Sequence, residues 1–279
     1  MTKRIAFMGD YGAYSDLACR AATPDYETLP CDTFEDVFTA VYDGKAELAM
    51  LPVENAIAGR VADIHYLLPH STLSIIGEHY QPVVHHLLAL PDAKLSDIKT
   101  VHSHVQALSQ CRNWLRERGM TPVHKSDTAG SAAELPRLGD KSIAAIASEL
   151  AGQINGLQSL AADIADKEGN TTRFLIFAAK PEVPAPHTVP CVTTLLFRVR
   201  SVPAALYKAL GGFATNGVNI TKLESYLVDG RFTAAQFYVD VEGHPEETPL
   251  KNALEELAFF AHETKILGTY PASAFRKKG

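Results

Sequence analysis

Four prolines fall within ten residues, at Pro181, Pro184, Pro186 and Pro190. No continuous helix or central strand survives that density, because each ring fixes φ and removes an amide donor. Residues 181–191 therefore read as an extended, semi-rigid linker that divides the 279-residue chain into a region 1–180 and a region 192–279, each long enough to fold around its own core. With 46% hydrophobic and 21% charged residues, both regions are expected to be globular. A formal charge of −6 argues against a general nucleic-acid or anionic-membrane partner, since both need a positive field. No apolar run approaches the roughly 18 residues of a membrane span, and no secretory leader is recognisable. Cys19, Cys31, Cys111 and Cys191 form no Cys-x-x-Cys pair, so reduced thiols and a cytoplasmic location are expected.

Upstream of the linker, short apolar runs alternate with helical patterns: residues 5–8, a helix from about Ser15, residues 48–51, then 100–102 before a helix through Leu108, Cys111 and Leu115. That rhythm is α/β with mostly parallel strands. Ligands of such sheets sit beyond the carboxyl ends of strands, which directs attention to residues 9–15, 52–55, 103–106 and 127–129. Downstream, Leu195, Phe197 and Val199 alternate with Leu196, Arg198 and Arg200 as a half-buried strand. Ser201 is positioned to cap a helix through Leu206, Leu210 and Phe213, which Asn216-Gly217 ends. Strands over 218–228 and 232–241 meet at the hairpin signal Asp229-Gly230, Thr248-Pro249 opens a second helix, and 265–270 closes as a strand. The order β-α-β-β-α-β is a ferredoxin-like layer of helices on an antiparallel sheet.

His85-His86 and the pair His102 and His104 suggest metal binding only superficially. Neighbours on a strand point to opposite faces, and no His-Glu-x-x-His helix is present. No metal is expected. The turn at 9–12 lacks Gly-x-Gly-x-x-Gly spacing, no Walker lysine follows, and no Gly-x-Ser-x-Gly elbow occurs, which disfavours a nucleotide cofactor and the common acyl-transfer serine. One segment stands out: Asn170-Thr171-Thr172-Arg173-Phe174, where a hydroxyl, a guanidinium and an aromatic ring enter an apolar strand together. By itself it also reads as a strand opened by a turn-forming Asn and a solvated Arg. Strict alternation puts Thr172 and Phe174 on one face and Arg173 on the other.

In company, the segment is more specific. Together with residues 9–15, Pro52-Val53-Glu54-Asn55 with Gly59, Val101-His102-Ser103-His104 through Gln110-Cys111, Asp127-Thr128-Ala129, and Asn219 to Ser225, it makes the sequence resemble prephenate dehydratase over nearly its whole length. The resemblance implies a two-lobed, periplasmic-binding-protein-like catalytic region, with lobe 1 at about 1–79 and 156–180 and lobe 2 at about 80–155, followed by an ACT regulatory domain over 192–279. It implies conversion of prephenate to phenylpyruvate, driven by aromatisation and needing no cofactor, with L-phenylalanine as feedback effector and a homo-oligomer, dimer or tetramer.

Carried onto this sequence, the resemblance makes Thr172, Arg173, Phe174, Glu54, Asn55, Ser103 and His104 candidates for catalysis. Arg173, Asn55, Ser103, Asp127 and Thr128 become candidates for substrate binding. An Arg suits the two substrate carboxylates, and either Thr172 or His104 is positioned to assist the departing hydroxyl. Asn55 and Asp127 read equally well as helix caps, Ser103 as a loop-amide contact and Glu54 as a solvated carboxylate. Effector binding is assigned to Ala205, Leu206, Gly217, Asn219, Ile220, Leu223, Glu224 and Ser225. The chain departs from the family pattern at Asp10 (usually Pro), Ala13 (Thr), Ala56 (Ser), Val105 (Pro), Ala204 (Gly) and Tyr226-Leu227 (Arg-Pro). The last two bear on effector binding. Arogenate dehydration, or a non-catalytic amino-acid sensor with the same cleft, are the alternatives. A sensor has no use for the Thr172 hydroxyl.

Overall fold

The computed structural model describes residues 2–199, 202–228 and 231–278. Contacts divide it into two compact units, Met1–Leu68 with His79–Phe174, and Pro69–Glu78 with Leu175–Gly279.

The first unit opens with β1 (Arg4–Met8), α1 (Tyr14–Ala22), β2 (Glu27–Cys31), α2 (Phe34–Tyr42), β3 (Leu48–Asn55), the short β4 (Gly59–Arg60), α3 (Ala62–Leu67) and β5 (Ser74–Pro82). Ile5, Ala6 and Phe7 are fully buried, as expected of a strand covered on both faces. β1 lies parallel to both β2 and β3. Thr33 caps α2 by accepting from the Asp36 amide at 3.1 Å, and Glu35 and Asp36 suit the positive end of that helix.

A second sheet follows: β6 (His86–Ala89), β7 (Thr100–His104), α4 (Val105–Gln110), α5 (Arg112–Glu117), β8 (Thr121–Lys125), α6 (Thr128–Leu138), β9 (Ile143–Ala147), α7 (Glu149–Ile154) and β10 (Gln158–Ala161). Its strand order is β10-β6-β9-β7-β8. β7 runs parallel to β8 and β9, whereas β6 is antiparallel to β9 and β10, so the sheet is mixed. Alternation builds a core on each face: Leu87, Val101, Ala144 and Ile146 pack with Leu108 and Leu115, and Leu88, Ala145 and Ala147 pack with Ala129, Ala132 and Ala151. Because β10 pairs with β6, the chain leaves this sheet after Ala161 and not near Gly156. The helix expected through Leu108 and Leu115 breaks at Cys111, where φ is −111°.

β11 (Thr171–Ala178) returns to the first sheet, whose order is β2-β1-β3-β11-β5. The boundary between the units crosses β5 after Glu78 and β11 after Phe174. Residues 181–190 carry neither helix nor strand, in keeping with their prolines.

The second unit contains β12 (Cys191–Val199), α8 (Ala205–Thr215), β13 (Ile220–Val228), β14 (Arg231–Glu242), α9 (Thr248–Phe260) and β15 (Ala261–Pro271). The strand order β13-β14-β12-β15 is antiparallel throughout, which is the ferredoxin-like arrangement read from the sequence. Leu195, Phe197, Phe213, Val239 and Leu257 form its core. Ser201 and the Asp229-Gly230 turn lie outside the described residues. The cap of α8 is Ala204, held at φ +62° with no side-chain cap.

Residues 69–78 are tied into this unit. A Cβ on Gly268 would fall 2.0 Å from the Ile75 carbonyl oxygen, so only glycine fits there. Lys265 donates to the carbonyls of Pro69 (3.1 Å) and Ser71 (2.7 Å). The Glu78 side chain, 0% exposed, takes a bidentate pair from Arg276 at 2.7 and 2.9 Å and the Ser273 amide at 2.9 Å.

Candidate active site

β3 ends on Glu54 and Asn55, and the turn that follows pins Asn55. Its Oδ1 accepts from the amides of Ile57 (3.0 Å) and Ala58 (2.8 Å), a local loop that returns the chain to β4. Asn55 Nδ2 is thereby aimed at the start of β11, where it donates to Asn170 Oδ1 at 2.7 Å and to Thr172 Oγ1 at 2.9 Å. The Ala56 amide bonds the Thr171 carbonyl at 2.8 Å and holds the two segments in register. One residue on along β11 and one back along β3, Arg173 Nη1 donates to Glu54 Oε1 at 3.0 Å. Strand alternation separates the two pairs, Asn55 with Thr172 on one face and Glu54 with Arg173 on the other. Arg173 is only 3% exposed.

The polar line continues from Asn170, which donates to Gln110 Oε1 at 2.7 Å. His85 Nε2 meets the same oxygen at 2.8 Å. His85 Nδ1 lies 2.9 Å from the Tyr14 hydroxyl, which also has the Val84 carbonyl at 2.8 Å. Six side chains, from β3, β11, α1, α4 and the residues just before β6 and β11, thus form one hydrogen-bonded line, beside the backbone bond from Val83 to Asn170 at 2.9 Å. Burial pushes the His85 imidazole below its ordinary pKa, the largest of its influences. A second contact joins the sheets at Gly12, whose φ is +87° and whose carbonyl accepts from Ser148. A Cβ there would fall 2.6 Å from the Ala151 Cα.

Of the remaining candidates, Ser103 departs from its expected role. The strand runs on to His104, so Ser103 is buried at 0% exposure and donates to the Ile146 carbonyl at 2.6 Å. That is a scaffold contact. His104 caps α4, with Nδ1 accepting from the Gln106 amide at 3.3 Å. Asp127 caps α6 through the Gly130 amide at 2.6 Å, and Thr128 is that helix's first residue. Burial and the facing Asp127 and Asp32 raise the Asp10 carboxyl above the ordinary range. Phe174, a candidate for catalysis, is 1% exposed and belongs to the core. Tyr14, His85 and Gln110 were absent from the candidates, as was Asn170.

Beyond geometry, a family model described as prephenate dehydratase matches residues 5–182. The chain belongs to the prephenate dehydratase family. The bifunctional N-acyl-homoserine lactone acylase/prephenate dehydratase of Komagataeibacter europaeus is 53% identical over 274 residues, covering 98% of each chain. The chloroplastic arogenate dehydratase/prephenate dehydratase 1 of Arabidopsis thaliana is 39% identical over 287 residues, covering 98% of this chain and 73% of its own. A prephenate dehydratase from Arthrobacter aurescens, solved in complex with L-Phe, has a TM-score of 0.87 at 31% identity, covering 96% of this chain and 90% of that one.

Family membership makes the second unit's effector candidates worth locating. Gly217 follows α8 at φ +68°. Asn219 and Ile220 lead into β13, and Asn219 Nδ2 donates to Glu242 Oε2 at 3.2 Å. Glu224 pairs with Lys222 at 3.3 Å, while Leu223 and Ser225 are exposed. Ala205 is buried under the loop at Ala204, and Leu206 packs against the core. The positive φ at Ala204 accounts for the glycine usual at that position in the family.

Proposed function

We propose that the chain catalyses the decarboxylating dehydration of prephenate to phenylpyruvate in L-phenylalanine biosynthesis. The observation that carries this is the Thr172 hydroxyl. It accepts from Asn55 and finds no acceptor for its own proton among the described residues, so that proton is available to a substrate oxygen. In the reaction the carboxylate leaves the ring carbon as carbon dioxide, its bonding pair flows into the ring, and the ring hydroxyl departs as the ring becomes aromatic. Thr172 stabilises the charge developing on the leaving oxygen; His104 is the alternative donor. Arg173 is the candidate for a substrate carboxylate, and because Glu54 already holds one of its N–H groups, binding there requires Glu54 to share the guanidinium.

Arogenate is the nearest competing substrate, given the dual name of the Arabidopsis relative. Supplying prephenate and arogenate separately and quantifying phenylpyruvate and phenylalanine distinguishes the two. Turnover of neither by folded protein would overturn the reading and favour a sensor. Similarity to the K. europaeus protein supports a second reading, cleavage of N-acyl-homoserine lactones, tested by release of free homoserine lactone.

We read the C-terminal βαββαβ module as an ACT domain that binds L-phenylalanine near Asn219 and Ile220, in a cytoplasmic homo-oligomer, dimer or tetramer. The L-Phe complex of the A. aurescens relative supports this. Binding of the effector to a less active state would give feedback inhibition. Calorimetric titration with phenylalanine, alongside initial rates, tests it, and absence of both binding and inhibition at millimolar phenylalanine refutes it.

A further inference from the structure

The hydrogen-bond line from Asn55 to Tyr14 has a direction that can be read without seeing a single hydrogen. Amide side chains present an acceptor at one end and donors at the other, and their orientation is assigned from the network. Here the network is anchored by backbone. Two main-chain amides, of Ile57 and Ala58, point at one end of the Asn55 side chain, and main-chain amides only donate. That end is therefore oxygen, and the other end, facing Asn170 and Thr172, is the NH2 group.

The consequences propagate outward. Asn170 must offer oxygen to Asn55, which turns its own NH2 toward Gln110. Gln110 must then offer oxygen to Asn170. The same oxygen faces His85, so His85 Nε2 must carry a proton. In the neutral ring that burial favours, Nδ1 is an acceptor, and the single Tyr14 proton is shared between Nδ1 and the Val84 carbonyl. Toward the other end, the Asn55 NH2 group makes its two short bonds to Asn170 and Thr172, with the Thr171 carbonyl farther off at 3.4 Å. Thr172 is fixed as an acceptor in that bond, and its single proton is left to point elsewhere.

We propose that Gln110 and His85 are positioning residues that fix the hydrogen-bond polarity of the Asn55–Asn170 pair and so keep the Thr172 proton directed at the leaving oxygen. The inference rests on the dehydratase reading for the role of Thr172, but the polarity itself does not. Gln110 Oε1 is the meeting point, because donors converge on it from both sides. Without an acceptor there, the buried Asn170 amide has an unmatched donor. Turning it over would set NH2 against NH2 at Asn55 and loosen the donor that holds Thr172.

Two measurements test this on the full-length protein. Nitrogen-15 NMR of the histidine side chains, with His85 assigned by its loss in His85→Asn, reports the tautomer directly. The Nε2–H form is expected, and an Nδ1–H neutral ring would overturn the polarity even if the enzyme proved inactive on prephenate. The second compares Gln110→Met, which keeps the shape and removes the acceptor, with Gln110→Glu, which keeps it. Gln110→Met is expected to lower kcat about tenfold or more with KM within about twofold, and Gln110→Glu to recover most of that loss. Wild-type kcat in Gln110→Met, or equal loss in both variants, would refute a positioning role for the acceptor, whereas absent wild-type turnover beside the expected tautomer would fault the dehydratase reading alone.

Discussion

Replacing Thr172 by Val removes one hydroxyl and nearly nothing else. Valine has the same branching and suits a strand, so β11 and its register with β3 should persist. Two losses follow, and they differ in size. Within the fold, the single bond from Asn55 Nδ2 at 2.9 Å disappears, which costs about 0.5–1.5 kcal/mol at this half-buried position. In the transition state the donor to the leaving oxygen disappears, a loss of roughly 3 kcal/mol, or on the order of 10²-fold or more in kcat. Thr172→Ser keeps the donor and should stay within about tenfold of wild type. Initial rates of phenylpyruvate release, measured beside thermal melts, separate the two: Tm is expected to fall by only a few degrees, about 2–4 °C per kcal/mol for a chain of this order. A folded Val variant within about threefold of wild-type turnover would remove Thr172 from the mechanism, as would a Ser variant as impaired as Val.

Three further perturbations follow from particular geometries. Arg173→Lys should chiefly raise KM for prephenate, by about tenfold, because an ammonium cannot hold Glu54 and a carboxylate in one plane; steady-state kinetics check it. Asp10→Asn should raise Tm at neutral pH. The folded-state pKa of Asp10 is raised, first by burial and then by Asp127 and Asp32, so its favourable contribution is present only below the ordinary carboxylate value and is lost as pH rises through the folded value. The gain of the variant should accordingly vanish in melts near pH 3. Ala204→Gly should stabilise the second unit by up to about 1 kcal/mol by relieving a non-glycine residue at φ +62°, read as an upward shift in Tm, and it should strengthen phenylalanine binding by calorimetry if the added methyl hinders the effector.

The order of elements in the second unit was legible because each boundary carries a local cause: prolines before β12, Asn216-Gly217 after α8 and Thr248-Pro249 at α9. The Asn55 and Thr172 candidates were legible as parts of motifs. The rest of the polar line was not, since Tyr14, His85 and Gln110 are joined across 25 to 71 positions and no spacing rule links them. His85 was visible only as half of an adjacent pair, where its neighbour His86 instead meets Ser159 at 3.0 Å. Ser103 misled for a different reason. It sits where a strand was expected to have ended, and two more residues of strand turn a cleft position into an interior one.

The contact of residues 69–78 with β15 and the C-terminal residues bears on how a chain like this can lose parts. A stop codon or protease cut in the proline-rich segment would leave residues 5–182, the family-matched span, intact in sequence. Yet Ile75 would lose the backbone of Gly268 against which it rests, and Glu78 would lose its bonds from Arg276 and the Ser273 amide. Losing that bidentate pair together with the packing along residues 69–78 removes part of the ~5–15 kcal/mol that holds a typical domain together. Shortened genes should therefore yield poorly accumulating protein before they yield an unregulated enzyme, and selection for overproduction of the product should find point substitutions in the C-terminal module more often than its deletion.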